Sequence, residues 1–167
     1  LESLEVNDNN LSGTVPTELG NILGLRHLDV GANALNGTIP TQLGQLTALT
    51  ELGLYRNTLT GTLPKELVGA TSLERLDVSS NKLRGTLPAE VFQLAALVEL
   101  SVSYNSFTGI VPTELGKVST LQSFHAAENL LTGTFPRELL ELSNLQEMNI
   151  GYNQLTGTLP TALGRLN

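Results

Sequence analysis

The chain has 167 residues, of which 40% are hydrophobic and 4% aromatic, with no cysteine and a formal net charge of −7. The lack of cysteine excludes a disulfide framework and cysteinyl metal sites within this sequence. No apolar run approaches the ~18 consecutive residues of a membrane-spanning helix, so direct membrane insertion by this sequence is not expected. The negative charge argues against nucleic acid as a partner.

Seven copies of one 24-residue pattern fill the sequence without insertion or deletion. The copies begin at Leu1, Leu25, Leu49, Leu73, Leu97, Leu121 and Leu145. A fixed period of about 20–50 residues indicates a solenoid, in which each repeat buries its apolar face against its neighbours. Residues 1–167 are therefore interpreted as a single segment of seven repeats. Because neither end carries a polar capping repeat, we expect the segment to belong to a longer chain.

Each repeat begins with a short predicted strand that ends near an asparagine. In the third repeat, Leu52 and Leu54 alternate with polar or small residues, which is the pattern of a strand with one buried face. Equal repeats stack such strands in parallel, roughly 4.8 Å apart. The ninth position is always asparagine: Asn9, Asn33, Asn57, Asn81, Asn105, Asn129 and Asn153. A stacked asparagine ladder can satisfy backbone groups where the strands turn, so these residues are interpreted as structural.

A glycine and then a proline follow the asparagine and lead into a predicted helix. Gly61 and its six counterparts are expected where the chain needs a positive φ or a close backbone approach. Pro64 and its counterparts account for every proline and are predicted at the first position of a short helix or 3-10 turn. A glutamate two residues later in five repeats suits the first helical turn.

The repeat pattern, L-x-x-L-x-L-x-x-N-x-L-x-G-x-I-P-x-x-L-G, resembles the plant-type class of leucine-rich repeat. The string Leu-Thr-Gly-Thr-Leu-Pro at residues 59–64 and 155–160 is similar to versions in plant and algal proteins. The resemblance implies an α/β solenoid, a right-handed superhelix with a parallel concave β-sheet and short helices or 3-10 turns on the convex side. It also implies recognition of a protein, peptide or small ligand on the inner surface, outside the cell or at its surface. An organellar assembly stays an open alternative.

Positions three, five, seven and eight of each repeat are predicted to face the concave side. They hold all three tyrosines, both histidines, eight acidic residues and two basic ones, so nearly all the net charge of −7 faces inward. An acidic surface attracts cationic partners, and tyrosine is a common interface anchor. The candidate partner-binding residues are Tyr55, Arg56, Tyr104, His125, Glu128, Glu147 and Tyr152. We therefore predict a non-enzymatic recognition module for a basic or polar protein, peptide or small ligand, with His125 making binding pH-dependent.

A structural explanation competes with this prediction. Glu51, Arg75 and Glu99 occupy the same position of successive repeats, so they are expected to form a row of alternating charge that stabilises the sheet. Each exposed pair in such a row contributes under ~1 kcal/mol. The concave residues would then be solvated surface without a partner.

The sixth repeat departs most from the pattern. Phe124 enlarges one inward position and Ala126 shrinks the next, which conserves core volume. Leu130 and Ala127 are expected to leave the outward side of this repeat unusually apolar.

Catalysis and metal binding are not expected. Asp77, Ser101, His125 and Asn149 share one position of neighbouring repeats, but a catalytic triad needs histidine between serine and the carboxylate. His27 and His125 are four repeats apart, near 20 Å by strand spacing, and cannot share a metal ion. No cofactor motif is present.

The sequence also leaves two alternative functions open. Threonines recur at position 14 (Thr14, Thr38, Thr62, Thr86, Thr134, Thr158) and position 12 (Thr60, Thr108, Thr132, Thr156). Such arrays resemble those of ice-binding proteins, although threonine also simply favours a second short strand. The second alternative is an architectural subunit packed through its convex or flank surface. Separately, Asn10 and Asn36 begin N-glycosylation sequons, which predict exposure to the secretory route.

Overall fold

The computed structural model describes residues 1–165, and the chain there winds into a solenoid with one rung per repeat. The strands in chain order are β1 (Ser3–Glu5), β2 (Ser12–Thr14), β3 (His27–Asp29), β4 (Ala34–Asn36), β5 (Glu51–Gly53), β6 (Arg75–Asp77), β7 (Arg84–Thr86), β8 (Glu99–Ser101), β9 (Ser106–Gly109), β10 (Ser123–His125), β11 (Leu130–Leu131) and β12 (Glu147–Asn149). The 3-10 helices are Thr17–Asn21, Thr41–Gln45, Lys65–Gly69, Ala89–Gln93, Thr113–Lys117, Arg137–Glu141 and Thr161–Arg165.

The first strand of every rung joins one parallel sheet in the order β1–β3–β5–β6–β8–β10–β12. Residues 24 apart are paired throughout, as in Leu28 with Leu52 and Leu52 with Leu76. This register follows from the constant repeat length, because a slip would move the leucines to the solvent face. The predicted parallel concave sheet is confirmed.

A second set of strands lies on the flank of the solenoid. They form a two-stranded sheet, β2–β4, and a three-stranded sheet, β11–β9–β7. Here the paired residues are 22 apart, so Thr14 lies opposite Asn36 and Thr86 opposite Thr108. Position 14 of one rung therefore neighbours position 12 of the next rung, and the two predicted threonine columns are interleaved.

Seven five-residue 3-10 helices complete the rungs, and none of those in residues 1–165 is long and apolar enough to cross a membrane. The prediction that proline occupies the first helical position is wrong. Pro16 has φ −65° and ψ 133°, and it is the capping residue that precedes the helix. Its extended conformation ends the flank segment, and its carbonyl oxygen accepts the Leu19 N–H at 3.3 Å to close the first turn. Glutamates lie in the first turn as predicted, for example Glu66.

The core of the described chain is a column of stacked aliphatic side chains with three buried phenylalanines, Phe92, Phe107 and Phe124. Leu25, Leu49, Leu73 and Leu97 are each 0% exposed and represent one row of the column. Phe107 and Phe124 are also fully buried. Ala126 is buried beside Phe124, which confirms that the volume change in the sixth rung points inward. Burial contributes roughly 1.5–3 kcal/mol for each such large side chain, so the stacking of rungs holds the fold together.

The asparagine ladder forms as predicted. Asn57 Nδ2 donates to the carbonyl oxygens of Leu54 at 3.2 Å, Tyr55 at 3.1 Å and, in the preceding rung, Val30 at 3.1 Å. Its Oδ1 accepts the Leu35 N–H at 2.9 Å. The side chain thus satisfies four backbone groups and joins two rungs.

Position eight is not part of the strand, contrary to prediction. The strands end at position five, and every position-eight residue has a positive φ: Asp8 (54°), Ala32 (49°), Arg56 (49°), Ser80 (55°), Tyr104 (55°), Glu128 (54°) and Tyr152 (52°). β-Branched residues are strained at positive φ, and none occurs at position eight of any repeat. This absence is the sequence signal for the conformation.

Position seven is buried in three rungs, at Gly31, Ser103 and Ala127. Ala127, predicted to face outward, is only 4% exposed, and this prediction is wrong. Its N–H donates to Ser103 Oγ at 3.1 Å, which draws the chain against the fifth rung. Leu130 is 44% exposed, so of these two residues only Leu130 makes the outward side of the sixth rung apolar.

Candidate ligand-binding surface

An open groove of about 300 Å³ lies on the concave sheet and crosses the first five rungs. It is lined by Glu5, His27, Leu28, Asp29, Glu51, Leu52, Gly53, Arg75, Leu76, Asp77 and Glu99. These residues belong to β1, β3, β5, β6 and β8, and the charged ones come from positions three and five. The strand alternation that buries the leucines therefore points carboxylates into the groove. We call this the acidic groove.

Gly53 opens the middle of the acidic groove. Position five carries a carboxylate on both sides of it, Asp29 in the preceding rung and Asp77 in the next. A Cβ atom on Gly53 would lie 2.7 Å from Asp29 Oδ1, so the Asp29 carboxylate leans over the bare backbone of β5. The Asp29 carboxylate is therefore the first group that a ligand would meet above Gly53.

The position-three side chains form the predicted row of alternating charge. Arg75 forms an ion pair with Glu51 and lies 4.0 Å from Glu99. His27 Nδ1 also approaches Glu51 Oε2 at 3.6 Å. All these side chains are about half exposed, so each pair contributes at most about 1 kcal/mol to stability. The row leaves the position-five carboxylates without a basic partner among the described residues.

Two position-five carboxylates also accept a hydrogen bond in the turn that follows their strand. Asp77 Oδ1 accepts the Ser79 N–H at 2.8 Å, and Asp29 Oδ1 accepts the Gly31 N–H at 2.9 Å. Asn149 makes the same contact with the Gly151 N–H at 3.2 Å. Because asparagine serves equally here, this contact needs a side-chain oxygen but not a charge.

Tyr55 differs from the other two tyrosines because it is held against the sheet. Its ring lies over Gly31, and its hydroxyl donates to Asp29 Oδ2 at 3.4 Å. Burial raises the pKa of Tyr55 above its usual value, and the negative charges of Asp29 and Asp8 raise it further. A hydrogen bond with the Asn7 side chain opposes this shift.

Arg56, Tyr104, Glu128 and Tyr152 all occupy the left-handed position eight. Tyr104 is 59% exposed and Tyr152 is 82% exposed. Tyr104, Glu128 and Tyr152 fall in three consecutive rungs. They therefore form a column beside the sheet, outside the acidic groove.

His125 and Glu147 complete the set of predicted site residues. His125 Nε2 lies 3.6 Å from Glu147 Oε2. Glu147 lies in the neighbouring strand β12, where it pairs with Ser123. Ser101 is adjacent to His125 in the sheet, but no hydrogen bond joins these two side chains in the described part of the chain. Ser101 is also only 8% exposed, so it is poorly placed to attack a substrate.

The seven predicted site residues thus fall into separate groups, and none of them lines the acidic groove. Tyr55 and Arg56 lie in the third rung, whereas the others lie in the fifth to seventh rungs. The set of candidate residues predicted from the sequence does not include the groove residues Asp29, Gly53 and Asp77. The signal for the groove was the single glycine at position five, flanked by acidic residues in both neighbouring repeats.

A family model described as a leucine-rich repeat region matches residues 1–166. The chain belongs to the leucine-rich repeat family. This family model describes a repeat region and not a catalytic domain. A search of curated proteins finds no match.

Solved leucine-rich repeat structures superimpose closely on the chain. The plant peptide hormone receptor RGFR1 in complex with RGF2 is 37% identical with a TM-score of 0.97, covering 99% of this chain and 27% of the receptor chain. The Arabidopsis receptor kinase HAESA, in complex with the peptide hormone IDA and the co-receptor SERK1, is 36% identical with a TM-score of 0.94 and coverages of 99% and 28%. The chain therefore spans little more than a quarter of these receptor chains.

A plant ice-binding protein also matches, with 26% identity, a TM-score of 0.81 and coverages of 99% and 61%. The flank of this leucine-rich repeat chain carries the interleaved threonines, with Thr38 bridged to Thr60 and Thr134 to Thr156. Three position-12 hydroxyls donate to a carbonyl oxygen of the preceding rung: Thr60 to Gly37 at 3.2 Å, Thr108 to Gly85 at 3.3 Å and Thr156 to Gly133 at 3.3 Å. Ile110 and Arg84 interrupt the array.

Residues 1–165 contain no group of three or more His, Asp or Glu side chains that could together hold a metal ion.

Proposed function

We propose that this leucine-rich repeat chain is a recognition module that binds an extended peptide bearing cationic side chains in the acidic groove. One observation carries the proposal: the Asp29 and Asp77 carboxylates flank Gly53 in the acidic groove and have no basic partner among the described residues. A peptide cation placed there would meet two carboxylates, and its backbone could lie over β5.

The solved relatives support a peptide as the ligand class. RGFR1 and HAESA are each described in complex with a peptide, and both match this chain over 99% of its length. The charge of the groove supports a basic ligand rather than an acidic one. The proposed setting is extracellular or at the cell surface, by family resemblance.

The test is a panel of randomised twelve-residue peptides displayed on phage and selected on the immobilised 167-residue chain. We expect the retained peptides to be enriched in lysine and arginine and to be released by salt. The double variant Asp29→Asn, Asp77→Asn keeps the turn contacts that Asn149 illustrates but removes two charges. It should weaken the retained peptides about tenfold.

The matched control is Glu18→Gln, Glu66→Gln, which removes the same charge from exposed positions on the 3-10 helices. Equal affinities for the groove variant, the control and the original chain would refute binding in the groove. Retention of neutral peptides alone would refute the cationic ligand.

Ice binding is a second candidate function, motivated by the matching ice-binding protein and by the Thr38–Thr60 and Thr134–Thr156 bridges. It predicts thermal hysteresis by the purified chain, abolished by bulky replacements at Thr132 and Thr158. Unchanged ice growth at high protein concentration would remove this candidate.

The secretory setting makes a separate prediction about modification. Asn10 and Asn36 are both exposed and lie on the flank, near β2 and within β4. Expression through a secretory pathway should attach one N-glycan at Asn10 and one at Asn36. Each glycan should be lost on the corresponding Asn→Gln change. Thr38→Ala is the matched control for Asn36, because it removes the sequon and keeps the asparagine.

A further inference from the structure

The column at position eight of the last three rungs has a composition not repeated in the first four rungs. It reads Tyr104, Glu128, Tyr152, whereas the earlier rungs carry Asp8, Ala32, Arg56 and Ser80 there. Two exposed aromatic rings thus stand on either side of one carboxylate.

Backbone hydrogen bonds hold this column in register. The Tyr104 N–H donates to the Ala127 carbonyl at 2.9 Å, and the Glu128 N–H donates to the Gly151 carbonyl at 3.1 Å. The following residues repeat the pattern, since the Asn105 N–H donates to the Glu128 carbonyl at 3.1 Å. Successive members are therefore about one strand spacing, roughly 4.8 Å, apart.

The side chains of these three residues also leave the backbone in the same direction. Their φ values are 55°, 54° and 52°, so the same left-handed turn directs each side chain out of the sheet. Within residues 1–165, the hydroxyls of Tyr104 and Tyr152 make no hydrogen bond, and the Glu128 carboxylate makes neither a hydrogen bond nor an ion pair. Tyr55, by contrast, is packed on Gly31 and bonded to Asp29.

The spacing leaves room for a ligand group between the rings. Tyrosines in adjacent rungs would stack on each other at about 4.8 Å. Here Glu128 separates them, so their Cα atoms are roughly 9.6 Å apart, twice the strand spacing. A group in contact with both rings needs about 7–8 Å between them, at 3.5–4.0 Å for each contact.

The chemistry of the gap selects a cation. A tyrosine face attracts an ammonium or guanidinium group, and Glu128 supplies a formal negative charge between the two faces. A carboxylate ligand would meet repulsion, and a neutral apolar side chain would desolvate Glu128 without compensation.

We infer that Tyr104, Glu128 and Tyr152 form a clamp for one lysine or arginine side chain of the bound peptide. The inference deepens the proposed function, on which it rests for the identity of the ligand as a peptide. It places a second cation-binding position two to four rungs beyond Gly53, so a single extended peptide would be held at both places.

The clamp is tested with butylammonium, a mimic of the lysine side chain, titrated into the 167-residue chain while the tyrosine ring resonances are followed by NMR. We expect saturable shifts at Tyr104 and Tyr152 and smaller ones at Tyr55, whose ring is covered. Pentanol, a neutral probe of similar length, should give little change. Glu128→Gln should weaken butylammonium binding about fivefold, the usual upper effect of an exposed ion pair.

Variants and controls can be matched at this position. Tyr104→Asn and Tyr152→Asn remove the rings while keeping a residue that tolerates positive φ, and each should reduce binding severalfold. Ser80→Asn makes the same type of change at position eight outside the clamp and should leave binding unaltered. Far-UV circular dichroism should show the same fold for all of these surface variants.

The possible results separate the clamp from the groove. Equal shifts at all three tyrosines, equal shifts with pentanol, or indifference to Glu128→Gln would overturn the clamp, whatever the peptide selection shows. Clamp binding of butylammonium together with retained peptides that ignore Asp29→Asn, Asp77→Asn would instead refute the groove and keep the clamp.

Discussion

The ring of Tyr55 lies directly over Gly31, the residue at the same position of the preceding rung. A Cβ atom on Gly31 would come within 2.4 Å of Tyr55 Cε1, so the ring occupies the space that any other residue at 31 would need. Tyr55 and Gly31 therefore act as a complementary pair, and the pair places the tyrosine hydroxyl on Asp29 at the edge of the acidic groove.

Replacing Gly31 with alanine should release the Tyr55 ring into solvent. The hydroxyl would lose its contact with Asp29, and the pKa of Tyr55, which burial, Asp29 and Asp8 now raise, should fall toward the ordinary value of about 10. The free energy of unfolding should drop by about 1 kcal/mol or less. Ultraviolet titration of tyrosine in the Tyr104→Phe, Tyr152→Phe background, with and without Gly31→Ala, measures this pKa. An unchanged titration would show that Gly31 does not position the ring.

The raised pKa of Tyr55 also predicts a loss of stability in alkaline solution. The folded chain holds this proton more tightly than the unfolded chain, whose tyrosine pKa is about 10. The stabilising contribution is therefore complete below pH ~10 and is lost as the pH rises through the folded-state pKa. Urea unfolding at increasing pH should show a smaller alkaline loss for Tyr55→Phe than for the original chain. Parallel losses in the two proteins would contradict the sign of the shift.

Asn57→Ala should be strongly destabilising because the Leu35 N–H loses its hydrogen-bond partner and three carbonyl oxygens each lose one of two partners. Asn57 is 8% exposed and joins the third rung to the second. We expect the free energy of unfolding to fall by about 3 kcal/mol, the upper end of the usual cost of a buried donor left unsatisfied. Asn9→Ala is the matched control, since Asn9 is exposed and bonds only within its own rung. Denaturant unfolding followed by circular dichroism compares the two, and similar losses would argue against the ladder as a link between rungs.

Gly44→Ala should disrupt the contact between neighbouring 3-10 helices. A Cβ atom on Gly44 would lie 2.0 Å from the Glu66 carbonyl oxygen, and this backbone atom cannot move aside without shifting its rung. A loss of about 3 kcal/mol is expected. Gly24→Ala is a suitable control, because its nearest atom would be the Leu1 carbonyl oxygen at 3.9 Å, and its effect should stay within about 0.5 kcal/mol. Equal thermal stability of the two variants would rule out this steric contact.

Arg75→Gln separates the two interpretations of the charged row. The Arg75 side chain is 53% exposed and pairs with Glu51 and Glu99, so its loss should lower stability by less than about 1 kcal/mol. If the groove binds cations, removing its arginine should strengthen binding of a selected lysine-containing peptide about threefold at low salt. Fluorescence anisotropy with that peptide measures the change. Weaker binding would mean that Arg75 contacts the ligand itself.

The repeat length and the leucine, asparagine and glycine positions predicted the solenoid, the parallel sheet and the asparagine ladder correctly. These features depend on contacts that recur identically in every rung, so one repeat contains the information for all of them. The glycines illustrate this: Gly61 has φ +81°, and its six counterparts are also positive. The placement of Pro16 before its helix was missed, because cap and first helical position differ by a single ψ angle.

The candidate site was less accessible from the sequence, since it depends on residues that differ between rungs. That the Tyr55 ring packs on the sheet could not be predicted from the sequence, because the residue beneath the ring, Gly31, is 24 positions away. Ala127 appeared exposed by its position, yet the neighbouring Ser103 covers it.

The sequence by itself determined that the chain stacks equal rungs around a leucine column, because a strict period leaves each repeat only its neighbour to bury against. Only the tertiary structure decided that Tyr104, Glu128 and Tyr152 share a left-handed column, that the flank strands pair 22 residues apart, and that Gly53 opens a groove between Asp29 and Asp77. These relationships arise from backbone turns and side-chain directions between rungs, which a one-dimensional pattern does not contain.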